Sequence, residues 1–162
     1  MSSGARVVTS IGAQSAVGVA PSTWQYLRVA GANTVMPKVN TVQSDEVTAL
    51  RLSGGKAVIS EDVGGDIPQE LSYGTSDLLL ASAFYSEWDI DSPTAGIDTL
   101  TLGETAQFFS IAKDFTDVGV YGVARDCLVS KLSIDIPESG KITINSTIAG
   151  NKWQDSKVSS FA

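Results

Sequence analysis

The sequence contains no histidine. That absence removes the usual general base near neutral pH, the Ser-His-Asp arrangement and most zinc sites together. Cysteine is nearly absent as well. Cys127 stands alone, so no disulfide can form within the chain and folding needs no oxidising compartment. Set between Asp126 and Leu128 in a β-type run, it reads as a small buried hydrophobe rather than a nucleophile. No apolar run approaches the roughly 20 residues of a membrane-spanning helix. The first twenty residues also lack the continuous apolar stretch of a signal peptide. A soluble, unsecreted protein is expected, and outside a secretory context the acceptor-like Asn145-Ser146-Thr147 carries no weight. Positive charge is scarce, with 11 Lys and Arg against 18 Asp and Glu and a net charge of -7. Such a chain is repelled at range by nucleic acid and by anionic lipid, which excludes a protein that clings to either. It does not exclude DNA passing nearby.

The 162 residues suit one domain, large enough to bury about two-thirds of its unfolded surface. A hydrophobic fraction of 43%, 15 glycines and many Ser, Thr and Val indicate a globular chain that leans towards β structure. The search for chemistry ends in negatives. Gly54-Gly55 and Gly64-Gly65 read as turn or bulge residues rather than a phosphate cradle. Asp89, Asp91 and Asp98 invite a calcium loop, but Thr94 and Leu100 occupy the positions where glycine and glutamate are required. The adjacent pairs Asp45-Glu46 and Glu61-Asp62 point to opposite sides of an extended chain, so neither forms an acid and base couple. Trp24, Trp88 and Trp153 read as core or interface anchors.

Along the chain, residues 1–23 have the small-residue composition of a flexible arm, and 151–162 read as a tail around a folded body of 24–150. A first extended run covers Thr34 to Ser44, and Asp45 to Ala57 reads as a long exposed hairpin loop. The run "TSDLLLASAFYSEW" predicts the one helix, with Thr75 or Ser76 as cap and Leu79, Ala83 and Phe84 packing its apolar face on a sheet. Strands are expected in "AQFFSIAKDF", in "GVYGVARDCLVSKLSIDI" with Leu128, Leu132, Ile134 and Ile136 on one face, and in "KITINSTI", the clearest period of two.

The stretch "SEDVGGDIPQELSYG" places Asp62, Asp66 and Glu70 four residues apart. That spacing shares a face in a helix and equally in a strand. Gly64, Gly65 and Pro68 decide for the strand. Ile59, Val63, Ile67, Leu71 and Tyr73 then form an apolar face, and the carboxylates form a file on the other.

At "GGDIPQELSYGTSDLLLASAFYSEW" and "FFSIAKDFTDVGVYGVARDCLVSKLSI", with "NTVQSDEV" before the loop, the sequence resembles the tail tube proteins of long-tailed bacteriophages over Trp24 to Gly150. It departs from them at Asp126, where a glycine is expected, and the chain ends where relatives often continue into a further domain. The resemblance implies a two-sheet β-sandwich or barrel with one flanking helix and a long hairpin loop. It further implies a virion component made in the bacterial cytoplasm, whose rings, hexameric in such proteins, stack into a hollow tube. The implied partners are further copies of the chain, other tail proteins at the tube ends, and double-stranded DNA in transit without specific binding. No membrane, cofactor, metal or catalytic residue is implied. The loop, with Asp45, Glu46, Arg51 and Lys56, would reach the neighbouring ring. Six subunits giving four strands each, spaced about 4.8 Å and tilted about 40°, close a barrel roughly 48 Å across, ample for a duplex. Asp62, Asp66 and Glu70 would face that lumen, where carboxylates do not hold phosphates. The competing reading is a monomeric β-sandwich module that binds a ligand such as carbohydrate, with Trp24 or Trp153 as an exposed platform.

Overall fold

The computed structural model describes residues 7–43 and 56–162. The chain runs β1 (Val7–Ala13), β2 (Gln25–Tyr26), β3 (Met36–Gln43), β4 (Lys56–Glu70), α1 (Asp77–Phe84), β5 (Phe109–Phe115), β6 (Val120–Asp135), β7 (Thr143–Gly150) and β8 (Lys152–Ser156). All strand pairs are antiparallel, in the order β2-β1-β5-β6-β7-β4-β3, with β8 also on β6. The expected mainly β fold, with a single helix among the described residues, is thus present. Its strands form one continuous sheet whose two halves share the long β6. The first half of β6 pairs with β5 and β8, and Leu128 to Asp135 pairs with β7.

The halves are held together by a common core. Ile11, Phe109, Ile111 and Ala124 come from one half, Val63, Ile67 and Ile148 from the other, and Leu79 from the helix. Two irregularities let β6 serve both. At Asp126 the backbone is left-handed (φ 54°), and the register against β5 shifts at the same level. A second shift lies between Val129 and Lys131. The second one overturns an expectation from the sequence. Because of the extra residue, Leu128 lies opposite Ala149 while Leu132 lies opposite Ser146, so the two leucines fall on different faces.

The chain ends also differ from expectation. Val7–Ala13, read as part of a flexible arm, is a full partner of β5, and Thr9, Ser10 and Ile11 are buried. Its small and polar inward side chains hide the apolar alternation that would have marked a strand. Lys152–Ser156, read as tail, pairs with β6. Trp153 is buried there because Gly122 leaves room for it, and a Cβ on Gly122 would lie 2.1 Å from the indole. An exposed Trp153 platform is therefore ruled out.

In α1, Leu79, Ala81 and Ser82 are buried. Ser82 Oγ accepts a 3.2 Å hydrogen bond from the Val129 amide, which ties the helix to the bulged part of β6. Ser76 occupies the N-cap position but makes no side-chain capping bond, and Asp77 provides the acidic first turn.

Candidate functional site

Four strands, β3, β4, β7 and β6, form a sheet with two unlike faces. The alternation of β4 turns Val63, Ile67 and Gln69 inward, all buried, and Asp62, Asp66 and Glu70 outward. The outward face continues across the register. Lys38 lies opposite Asp62, Thr147 opposite Asp66, and Thr143 opposite Glu70. On β6, Lys131, Ser133 and Asp135 lie opposite Thr147, Asn145 and Thr143. The three carboxylates named from the sequence do share one face.

Each carboxylate is held by a different neighbour. Asn40 Nδ2 donates to Asp62 at 2.9 Å, Thr147 Oγ1 donates to Asp66 at 2.6 Å, and Lys141 pairs with Glu70 at 2.7 Å. The face is less bare than spacing suggests. It carries Asp62, Asp66, Glu70 and Asp135 against Lys38 and Lys131, with Lys141 at the rim. The lysines come from β3, from β6 and from the turn before β7, so the spacing within one strand could not reveal them.

Gly65 makes the middle of the file possible. Its φ is 154°, and an added Cβ would lie 2.5 Å from the Thr34 backbone. Thr34 packs there because its amide donates to the Asp66 carbonyl, and its Oγ1 accepts from the Asp66 amide. This segment thereby continues the line of β3 along β4.

The remaining expected residues are dispersed. Leu79 is buried against the sheet, while Ala83 and Phe84 are half-buried. Of the loop set, Asp45, Glu46 and Arg51 lie outside the described residues, and Lys56 is the exposed first residue of β4. Asp91 and Asp98 brace a turn, accepting from the amides of Gly96 and Asp91 at 2.7 and 3.1 Å. Among the described residues no group of three acidic, Cys or His side chains is arranged to hold a metal ion. Cys127 is buried, and burial with the charge of Asp126 pushes its thiol up to about 12.

Two polar residues make contacts that the sequence does not reveal. Lys113 on β5 is 2% exposed, and its ammonium donates to the carbonyls of Asn33 and Val35, both at 2.7 Å. Burial lowers its pKa to about 8. Asp126 accepts from the Gly18 amide at 2.6 Å and from Gln14 Nε2 at 3.0 Å, and its own amide donates to Gln14 Oε1. The aspartate that replaces an expected glycine keeps the left-handed backbone and adds a clasp on residues 14–18.

The architecture is that of a mainly β subunit in which β2 and β3 end the strand order among the described residues. The chain belongs to the phage tail tube protein family, whose sequence model matches residues 4–156. It is therefore a tail tube subunit, a structural component of the virion. Among solved structures, the SPP1 tail tube is similar with a TM-score of 0.59 and 8% identity, over 92% of this chain and 75% of that one. The sheath/tube terminator of an extracellular contractile injection system, PVC, gives 0.55 and 8% identity, over 94% of both chains. The tube-terminating cap of the anti-feeding prophage gives 0.52 and 9% identity, over 93% and 87%. These likenesses are of fold. Comparison with curated proteins finds no match. No helix among the described residues is long and apolar enough to cross a membrane.

Proposed function

We propose that this subunit closes with further copies into rings that stack into a hollow tube, and that the polar face of the β3-β4-β7-β6 sheet lines the lumen through which double-stranded DNA passes. The observation that carries the reading is the pair of edges on that sheet. β3 ends the strand order, and β6 from Leu128 to Asp135 pairs only with β7 among the described residues. The four strands alternate in direction, so β3 of one copy meets β6 of the next antiparallel, and the sheet can continue from subunit to subunit without a break.

Exposed apolar side chains support the same joint. Val39, Val58 and Ile59 are more than half exposed near the β3 edge, and Ile134 and Ile136 are exposed near the β6 edge. A ring would cover them. Six copies give the pore width estimated from strand geometry, and a mixed, net acidic wall conducts phosphates without retaining them. Other tail proteins cap the two ends, and the reading assigns no catalytic residue.

Electron microscopy of the purified, concentrated protein tests it. Rings or tubes about 40 to 50 Å across at the inner wall are expected. Uniform single subunits at every concentration, with melting raised by a sugar, would instead establish a monomeric binding module.

A further inference from the structure

A groove of about 460 Å³ lies between β1, the segment leading into β2, and the start of α1. Ile11, Leu78 and Ala81 supply apolar surface, and Trp24 and Trp88 wall it. Trp88 Nε1 donates to the Asp77 carbonyl at 3.0 Å and Gln25 Nε2 to the Gly74 carbonyl at 3.1 Å, so these donors are spent on holding the walls. Among the described residues, the charged ones that line the groove are Asp77 and Glu87, with no Lys or Arg. An apolar bed with carboxylates and no cation complements an apolar segment that carries positive charge.

The chain contains such a segment. Between Val47 and Lys56 the sequence reads "VTALRLSGGK", with Val47, Leu50 and Leu52, two cations at Arg51 and Lys56, and no carboxylate. It joins β3 to β4 beyond the exposed Val39, Val58 and Ile59. These three residues leave apolar surface on β3 and β4 exposed beside the segment.

We propose that the groove beside α1 receives the β3–β4 segment of a second copy of the chain, with Leu50 and Leu52 on the apolar bed and Arg51 beside Glu87 and Asp77. The inference rests on the tube reading and supplies the landing site for the segment that links subunits. A sugar is a weaker fit, because the donors of Trp88 and Gln25 already bind the protein's own carbonyls.

Cross-linking in trans provides a direct test, since the one native thiol, Cys127, is buried. Glu87→Cys and Arg51→Cys proteins, mixed during tube formation under mild oxidation, should give disulfide-linked pairs. Lys157→Cys mixed with Arg51→Cys serves as the control and should not. Tubes from the first mixture with no more linkage than the control would overturn the proposal. Independently, Glu87→Arg should raise the concentration needed for tubes about tenfold or more, and Arg51→Glu in the same chain should restore it. Parental assembly by Glu87→Arg would also overturn it. Deletion of Leu50 to Gly55 separates the two levels. If that deletion abolishes tubes while the cross-link and the charge reversal are silent, the groove assignment fails and the loop keeps its role. If the deletion leaves tubes normal, both fall.

Discussion

Thr147 on β7 donates a 2.6 Å hydrogen bond to the carboxylate of Asp66 directly across the β4–β7 pair. With Asn40 on Asp62 and Lys141 on Glu70, the acidic file is gripped from three different segments. A hydroxyl donor fixes a carboxylate without neutralising it, whereas the exposed ion pair at Glu70 sets a positive charge beside the negative one at little gain in stability. Asp62 and Asp66 are held by neutral donors, and Glu70 by a cation.

The helix contact is the simplest to test. Leu79 is 1% exposed and belongs to the core that joins both halves of the sheet. Leu79→Ala should destabilise the subunit by about 2 to 5 kcal/mol, through lost transfer energy and the cavity left behind. Leu79→Met, which nearly conserves volume, should cost less than about 1.5 kcal/mol. Denaturant unfolding of the dispersed subunit measures both. A loss below about half a kcal/mol for the alanine would show that the helix barely engages the sheet.

Leu79 also illustrates what the sequence makes legible. The helix as an element, the alternation of β7 and that of β4 from Asp62 to Glu70 follow from local pattern. The buried side of the helix, however, carries Ala81 and Ser82 where Ala83 and Phe84 were expected, and Ile59, Leu71 and Tyr73, expected on the apolar face, are exposed. β1 and β8 do not follow from local pattern. Thr9, Ser10 and the lone Trp153 are buried beside residues far away in the chain, and no local pattern carries that information. The same holds for the lysines that moderate the acidic file, which arrive from β3, from β6 and from the turn before β7. Bulges are a second source of error. Leu128 and Leu132 share parity in sequence and lose it at the extra residue before Lys131. The groove beside α1 is assembled from several separate stretches of chain, so it has no linear signature at all.

Lys113 should leave a mark on the pH dependence of stability. Its pKa is about 8 in the fold against 10.5 for an ordinary lysine. Below pH 8 both states hold the proton, and the cost of burying the charge is fully present. Between pH 8 and 10.5 the unfolded chain binds more protons than the native one, so stability rises with pH. The rise from this group is about 3 kcal/mol. Urea unfolding at pH 7.5 and pH 10 should show it in the parent and not in Lys113→Met. Equal slopes in the two proteins would show that the ammonium reaches water.

The clasp at Asp126 gives opposite local effects that can be weighed. Asp126→Gly relieves a left-handed backbone worth about 1 kcal/mol in strain. It also removes the acceptor for Gly18 and Gln14, whose bonds are exposed and part-buried and so contribute about 1 kcal/mol each. The bonds win, so the subunit should be destabilised by about 1 kcal/mol or more. Asp126→Ala, which loses the clasp and keeps the strain, should be worse than Asp126→Gly. Limited proteolysis should cut both variants faster within residues 14–20. Equal stability of parent and glycine variant would mean that the clasp does not hold in solution.

The acidic file supplies the test closest to function. Replacing Asp62, Asp66 and Glu70 by Lys changes each position by two charges and the subunit by six, without touching Val63, Ile67 or the core they enter. Lys38 opposite position 62 and Lys141 beside position 70 would then face like charges, and exposed pairs of this kind cost about 0 to 1 kcal/mol each. Folding and tube formation should survive in moderate salt. A lumen so altered would offer many phosphate contacts in every ring, and binding built from such contacts is strong at low salt and falls steeply as salt rises. Phage carrying the variant should eject DNA slowly, with partial rescue by salt, as followed by release of DNA from triggered particles. Failure to assemble at any salt would place the carboxylates in an interface where their charge is paired. Assembly with ejection at the parental rate would put this face on the outer wall of the tube, and the sheet that lines the lumen would have to be sought on β1, β5 and the first half of β6.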